Sequence, residues 1–90
     1  MYRLLTTPAA RRDMAKLERR LFHEERERLR AAIRNLAVEP RPTRAKKLKA
    51  RQFCYRLRVG DYRVVYEVRD RDSTVRIIRI GRRNESTYVF

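Results

Sequence analysis

The sequence predicts an α+β domain: an N-terminal strand, two helices, then a three- to four-stranded antiparallel sheet. Three observations carry this. Large apolar residues recur at helical spacing in the first part of the chain, at Met14, Leu17 and Leu21 and again at Phe22, Leu29, Ile33 and Leu36. The stretch "FCYRLRVGDYRVVYEV" (53–68) alternates on either side of Gly60-Asp61, as a hairpin does. Val75 to Ile80 is a further β-branched run. Ninety residues hold one core, so residues 1–90 read as a single domain.

The elements follow in order. Tyr2 to Thr6 reads as a short first strand. Thr7-Pro8 reads as an N-cap and a proline at the first helical position: the hydroxyl accepts a free helix amide, and proline lacks only an N–H with no partner there. The apolar spacing predicts helices over 8–19 and 24–38, with a break around Arg20 to His23. No Gly or Pro marks that break, so one long bent helix is an open alternative. Glu39-Pro40-Arg41-Pro42 ends the helical run, because residues before proline avoid the α region. A basic loop, "TRAKKLKARQ", follows, and its Leu48 is expected to pin it to the core.

Gly60-Asp61 as a two-residue loop suits a type II′ turn. It places Val59 opposite Tyr62, Leu57 opposite Val64, Tyr55 opposite Tyr66 and Phe53 opposite Val68, an apolar and aromatic face fit to receive both helices. On the other face Arg58 stands opposite Arg63, Arg56 opposite Val65 and Cys54 opposite Glu67. The strand at Val75 to Ile80 is apolar on both faces, which predicts an interior position in the sheet. "GRRNESTYVF" closes the chain.

Charge narrows the function. Lys+Arg 25 against Asp+Glu 11 gives +14, with a pI near 11.3. Such a surface attracts polyanions, either nucleic acid or an acidic protein. The basic residues concentrate between Pro40 and Gly60, at Arg41, Arg44, Lys46, Lys47, Lys49, Arg51, Arg56 and Arg58, with no acid among them. Upstream, Glu18, Glu24, Glu25 and Glu27 mix with arginines as on a solvated helix. The single cysteine, Cys54, excludes an internal disulfide and suits a reducing cytoplasm. No run approaches the ~18 apolar residues of a membrane span, and the N-terminus lacks the apolar core of a secretory signal. One Cys and one His, His23, cannot make a structural zinc site, and no P-loop or dinucleotide fingerprint is present. Cys54 reads as a packed, inert thiol and His23 as a surface residue, so no metal or cofactor is expected.

Like charges facing each other across a strand pair cost up to ~1 kcal/mol. Arg58 opposite Arg63 therefore asks for an explanation. Arginines splayed into water are one. A phosphate site on the open face is the other: guanidinium forks match phosphate oxygens and stay charged.

The strand and helix order, "KKLKARQFCYRLRVGDYRVVYEV" and "IGRRNESTY" together resemble the RelE/ParE toxin superfamily, more closely its RelE branch, over nearly the whole chain. The resemblance implies a toxin of a type II toxin–antitoxin system, active in the cytoplasm. It would enter the ribosomal A site and cut mRNA without a metal, by attack of a ribose 2′-OH on the adjacent phosphate. Its partners would be ribosome, mRNA and a cognate acidic, RelB-like antitoxin. Matched by position, the family's catalytic residues fall on Arg56, Arg58, Arg63, Arg83 and Tyr88. Lys46, Lys47, Lys49, Arg51 and Arg82 are expected to hold nucleic acid. Relatives often carry lysine where this chain has Arg56 and Arg58, and arginine hardly serves as a proton acceptor. Two other readings are a ParE-type inhibitor of DNA gyrase and a basic RNA-binding module without chemistry.

Overall fold

Thr7 does two things at once in the computed structural model, which describes residues 1–82. Its hydroxyl accepts from the Ala10 amide at 3.1 Å, capping helix α1 (Pro8–Glu18), and donates to the Ile78 carbonyl at 3.0 Å. The cap thus fixes the helix start and ties it to the last strand. Strand β1 (Arg3–Thr6) precedes it and helix α2 (His23–Asn35) follows.

The break between the helices is real, and the single bent helix is excluded. It forms without Gly or Pro. The Glu25 carboxylate reaches back to accept from the Phe22 amide at 3.2 Å, half of a capping box, while Leu21 is buried. Phe22 does not join the helical apolar stripe as expected. It precedes the first turn of α2 and is 80% exposed.

The remaining strands are β2 (Lys46–Lys47), β3 (Cys54–Val59), β4 (Tyr62–Arg69) and β5 (Thr74–Arg82), in the sheet order β1-β5-β4-β3-β2. The α+β class holds. The sheet differs from the expectation in having five strands and in being mixed. The first strand runs parallel to β5, Arg3 beside Thr74 through Thr6 beside Ile77. The basic loop contributes a two-residue strand against β3. β5 lies between β1 and β4, an interior position as its apolar pattern predicts.

The hairpin has the predicted register, Val59 beside Tyr62 through Cys54 beside Glu67. Gly60 has φ +59, and Asp61 is not among the positive-φ residues, as a type II′ turn requires. Phe53 is a correction. It lies outside the strand with φ 66 and 38% exposure, and the Arg69 guanidinium covers its ring at 4.3 Å. The left-handed backbone turns its side chain out of the alternation.

Both helices pack on the Tyr55/Leu57/Tyr66 face. Leu17, Leu21, Leu29 and Leu36 meet Leu57, Val64, Tyr66, Val75, Ile77 and Ile80 there. Tyr66 is wholly buried and donates its hydroxyl proton to the Pro40 carbonyl at 2.8 Å. The opposite face carries a second, small cluster of Cys54, Val65 and Ile78. Leu48 packs on this cluster and not on the main core, which corrects its expected role. No helix among the described residues is long and apolar enough to cross a membrane.

Candidate nucleic-acid interface

The face of the sheet away from the helices is built in three rows by the register. Arg58, Arg63 and Gly81 form the first, so a residue without a side chain flanks Arg63 on one side. Lys46, Arg56, Val65 and Arg79 form the second, with Arg79 held by Asp13. Cys54, Glu67 and Arg76 form the third.

Charge is not uniform over these rows. Glu67 is buried and lies between Arg69, 3.3 Å away, and Arg76, 3.4 Å away. One carboxylate there offsets part of the charge of two guanidinium groups. Among the described residues, the rows with Arg56, Arg58, Arg63 and Lys46 contain no acidic residue. The face therefore has one end where a buried acid offsets part of the charge and another, cationic end where only basic residues stand. The sequence reading did not single out Glu67. Its signal was present: an acid on the face of arginines, with Arg69 two residues on along its own strand.

The arginines differ in setting. Arg58 is exposed, Arg56 half-buried, and Arg63 buried at 9% exposure. The picture of side chains splayed into water does not describe Arg63. Packing therefore holds the Arg63 guanidinium in one place on this face.

The wider basic set separates. Lys46 stands opposite Arg56 and extends the cationic end. Lys47 stands opposite Tyr55 and Arg82 opposite Tyr62, so register puts both toward the other side of the sheet. Lys49 is exposed in the loop after β2, and Arg51 lies near Cys54. Arg83 and Tyr88 lie outside the described residues. Arg41, in the same basic segment, is structural: it grips Asp70 at 2.8 and 3.1 Å and donates to the Tyr55 hydroxyl at 2.9 Å. Tyr2 completes this clasp, donating to Asp70 at 2.6 Å. The Arg41 hydrogen bonds, and then that of Tyr2, hold the Asp70 carboxyl below its usual range.

Burial pushes the Cys54 thiol up, as an inert packed cysteine requires. Among the described residues no three His, Cys, Asp or Glu side chains gather as a metal site would need. What the cationic end can do is bind and neutralise phosphate. It supplies donors and positive charge, and no proton acceptor.

Comparison with known proteins agrees with this geometry. A family model described as the ParE toxin of type II toxin–antitoxin systems, parDE, matches residues 4–87. Sequence comparison with curated proteins finds no match. Among solved structures, the intact RelBE toxin–antitoxin complex of E. coli is similar with TM-score 0.74 and 26% identity, over 94% of this chain and 100% of that one. The archaeal RelE–RelB complex of Pyrococcus horikoshii gives TM-score 0.76 and 26% identity, over 94% and 98%. The RelBE2 complex of Mycobacterium tuberculosis gives 0.64 and 31%, over 91% and 98%. The chain therefore belongs to the ParE toxin family of type II toxin–antitoxin systems, within the RelE/ParE superfamily.

Proposed function

We propose that this toxin is a metal-independent, ribosome-dependent endoribonuclease that cuts mRNA and so inhibits translation in the cytoplasm. The observation that carries the reading is the cationic end of the sheet, where the register gathers Lys46, Arg56, Arg58 and the buried Arg63 on one face. Guanidinium forks on one face match the oxygens of a phosphate backbone.

The step is a transesterification. A ribose 2′-oxygen attacks the adjacent phosphorus, the O2′–P bond forms, the P–O5′ bond breaks, and a 2′,3′-cyclic phosphate remains. The 2′-proton leaves to solvent and the 5′-oxygen gains one. Arginine supplies neither base nor Lewis acid here. Arg63 and Arg83 meet the charge that builds on the phosphoryl oxygens. Arg56 and Arg58 hold the flanking phosphates, and Tyr88 stacks on a base or orients the nucleophile. Lys46, Lys49 and Arg51 add affinity along the RNA backbone, whereas Lys47 and Arg82, on the other side of the sheet, do not. The natural inhibitor is an acidic, RelB-like antitoxin, as in the RelB-bound relatives.

The family model's description favours a second reading, a ParE-type toxin acting on DNA gyrase. One experiment separates the readings. The purified chain is added to ribosomes programmed with a defined mRNA, and separately to a gyrase supercoiling assay. Cuts within the A-site codon are expected. Gyrase inhibition without cutting selects the second reading, and binding without either effect leaves a basic RNA-binding module.

A further inference from the structure

β2 pairs with β3 only at Arg56 and Tyr55, so among the described residues the outer edge of β3 from Leu57 to Val59 has no strand neighbour. An open groove of about 640 Å³ lies there, between that edge, the C-terminal part of α2 and the loop after Pro42. Its floor includes Leu57 and Pro42. Arg28, Arg44 and Arg58 line it, together with the Asn35 amide, and no carboxylate does. None of these three arginines makes a hydrogen bond or ion pair within the described residues. Arg28 is carried from α2 to the hairpin tip, where a Cβ placed on Gly60 would lie 3.8 Å from its guanidinium nitrogen. Arg58 joins two regions: it stands opposite Arg63 in the sheet and also lines the groove.

We propose that this groove binds one nucleotide of a single-stranded RNA. The phosphates lie on Arg58, Arg44 and Arg28, the base rests on the apolar floor, and the Asn35 amide meets the base edge. The inference rests on the RNA reading above and extends it around the edge of the sheet. Three features favour RNA. Guanidinium forks match phosphate oxygens, and the arginines run as a path from the cationic face. The volume is that of a small-ligand pocket, in the range of roughly 300–1,000 Å³. An acidic peptide added as a strand needs a longer free edge than the segment between β2 and the Gly60 turn. Asparagine offers a donor and an acceptor together, so it distinguishes bases, whereas the arginines do not.

The test uses the full-length chain and fluorescein-labelled oligoribonucleotides with 2′-O-methyl sugars, which cannot be cut. Binding is followed by anisotropy between about 50 and 200 mM salt. Each phosphate released from an arginine lowers the log–log salt slope by ~0.7 for single strands. The Arg28→Ala/Arg44→Ala double variant should bind more weakly, with a slope smaller by ~1.4. Asn35→Ala should keep the slope and lose the preference among oligonucleotides that differ at one base. These side chains are exposed, so the thermal midpoint should stay at the wild-type value and serve as the control of folding. Wild-type slope and affinity in the double variant overturn the proposal. So does loss of a Glu-rich peptide with RNA binding unchanged, which makes the groove a peptide site. Cutting of ribosome-bound mRNA is read separately. If the wild type never cuts while the slope changes as stated, the nuclease reading falls and the groove stands.

Discussion

Arg63 and Tyr66 lie three residues apart on one strand, and their burial serves different ends. Arg63 is held on the cationic face, where its charge meets whatever binds there. A donor that meets charge arising only in the transition state affects turnover more than affinity. Arg63→Ala is therefore expected to lower single-turnover cleavage of ribosome-bound mRNA by ~10²–10³, with little change in ribosome binding. Arg83→Ala should behave alike, and Lys46→Ala should weaken binding instead. Wild-type cutting by both arginine variants at saturating protein would show that the site is misplaced. Tyr66 stabilises the fold. Burial, and then neighbouring Tyr55, raise its hydroxyl above the usual range, against an opposing effect of Arg41. A folded state that holds a proton more tightly is stabilised below the unfolded pKa, and that stability drains as pH rises past it. The contribution is thus complete at neutral pH and lost from about pH 10 upward. Tyr66→Phe should cost about 1–3 kcal/mol at neutral pH, since the Pro40 carbonyl loses its donor. It should also flatten the alkaline loss of stability, checked by urea unfolding across neutral and alkaline pH.

At the scale of elements, the join between α1 and β5 decides how the sheet is held. The β4–β5 register changes from Arg79 beside Val65 to Ile77 beside Tyr66, so Ile78 is the extra residue of a bulge. That explains a strand apolar on both faces: Ile77 and Ile80 enter the main core, and Ile78 enters the small cluster behind. Asp13 of α1 closes the irregularity, accepting from the Ile80 amide at 2.9 Å and from Arg79 at 2.8 Å. Asp13→Ala is expected to destabilise by about 1–3 kcal/mol through the buried amide left without an acceptor. For a domain this size the midpoint falls by roughly 4–8 °C per kcal/mol. Asp13→Asn should recover part of the loss, since its oxygen can still accept from Ile80. A thermal scan showing no change in either variant would make this link incidental. The helices and the hairpin register were legible because period and turn chemistry agree locally. The bulge was not, since no Gly marks it and an apolar run reads alike with or without an added residue. Phe53 was misplaced for a related reason: alternation does not register a backbone that turns left-handed before the strand begins. The parallel partnership of β1 with β5 joins segments some 70 residues apart, beyond any local signal.

Over the whole molecule, +14 is distributed with a direction. Glu67, Asp70 and Asp13 each hold nearby arginines in structural pairs. Arg28, Arg44 and Arg58, at the β3 groove, make no such pair among the described residues. Sequence facing legibly placed Arg56, Arg58 and Arg63 on one side, because a period of two assigns faces once the turn is known. It did not show that Glu67 offsets charge at one end, nor that Arg28 reaches the hairpin tip, because both depend on tertiary packing. This distribution also bears on the antitoxin. An acidic, partly disordered chain that folds on contact gains charge complementarity over a large surface while bearing the entropy of ordering. Under the proposed function it competes with RNA for the same field. The chain should accordingly form a tight complex with an acidic product of a neighbouring gene. The association rate should fall steeply with salt, while dissociation, governed by buried contacts, changes less. Stopped-flow association over a salt series measures both rates. In cells, expression of the chain alone should arrest growth, and co-expression of the acidic partner should restore it. Normal growth with the chain alone, soluble and folded, would leave the field without its RNA target and sink the nuclease reading.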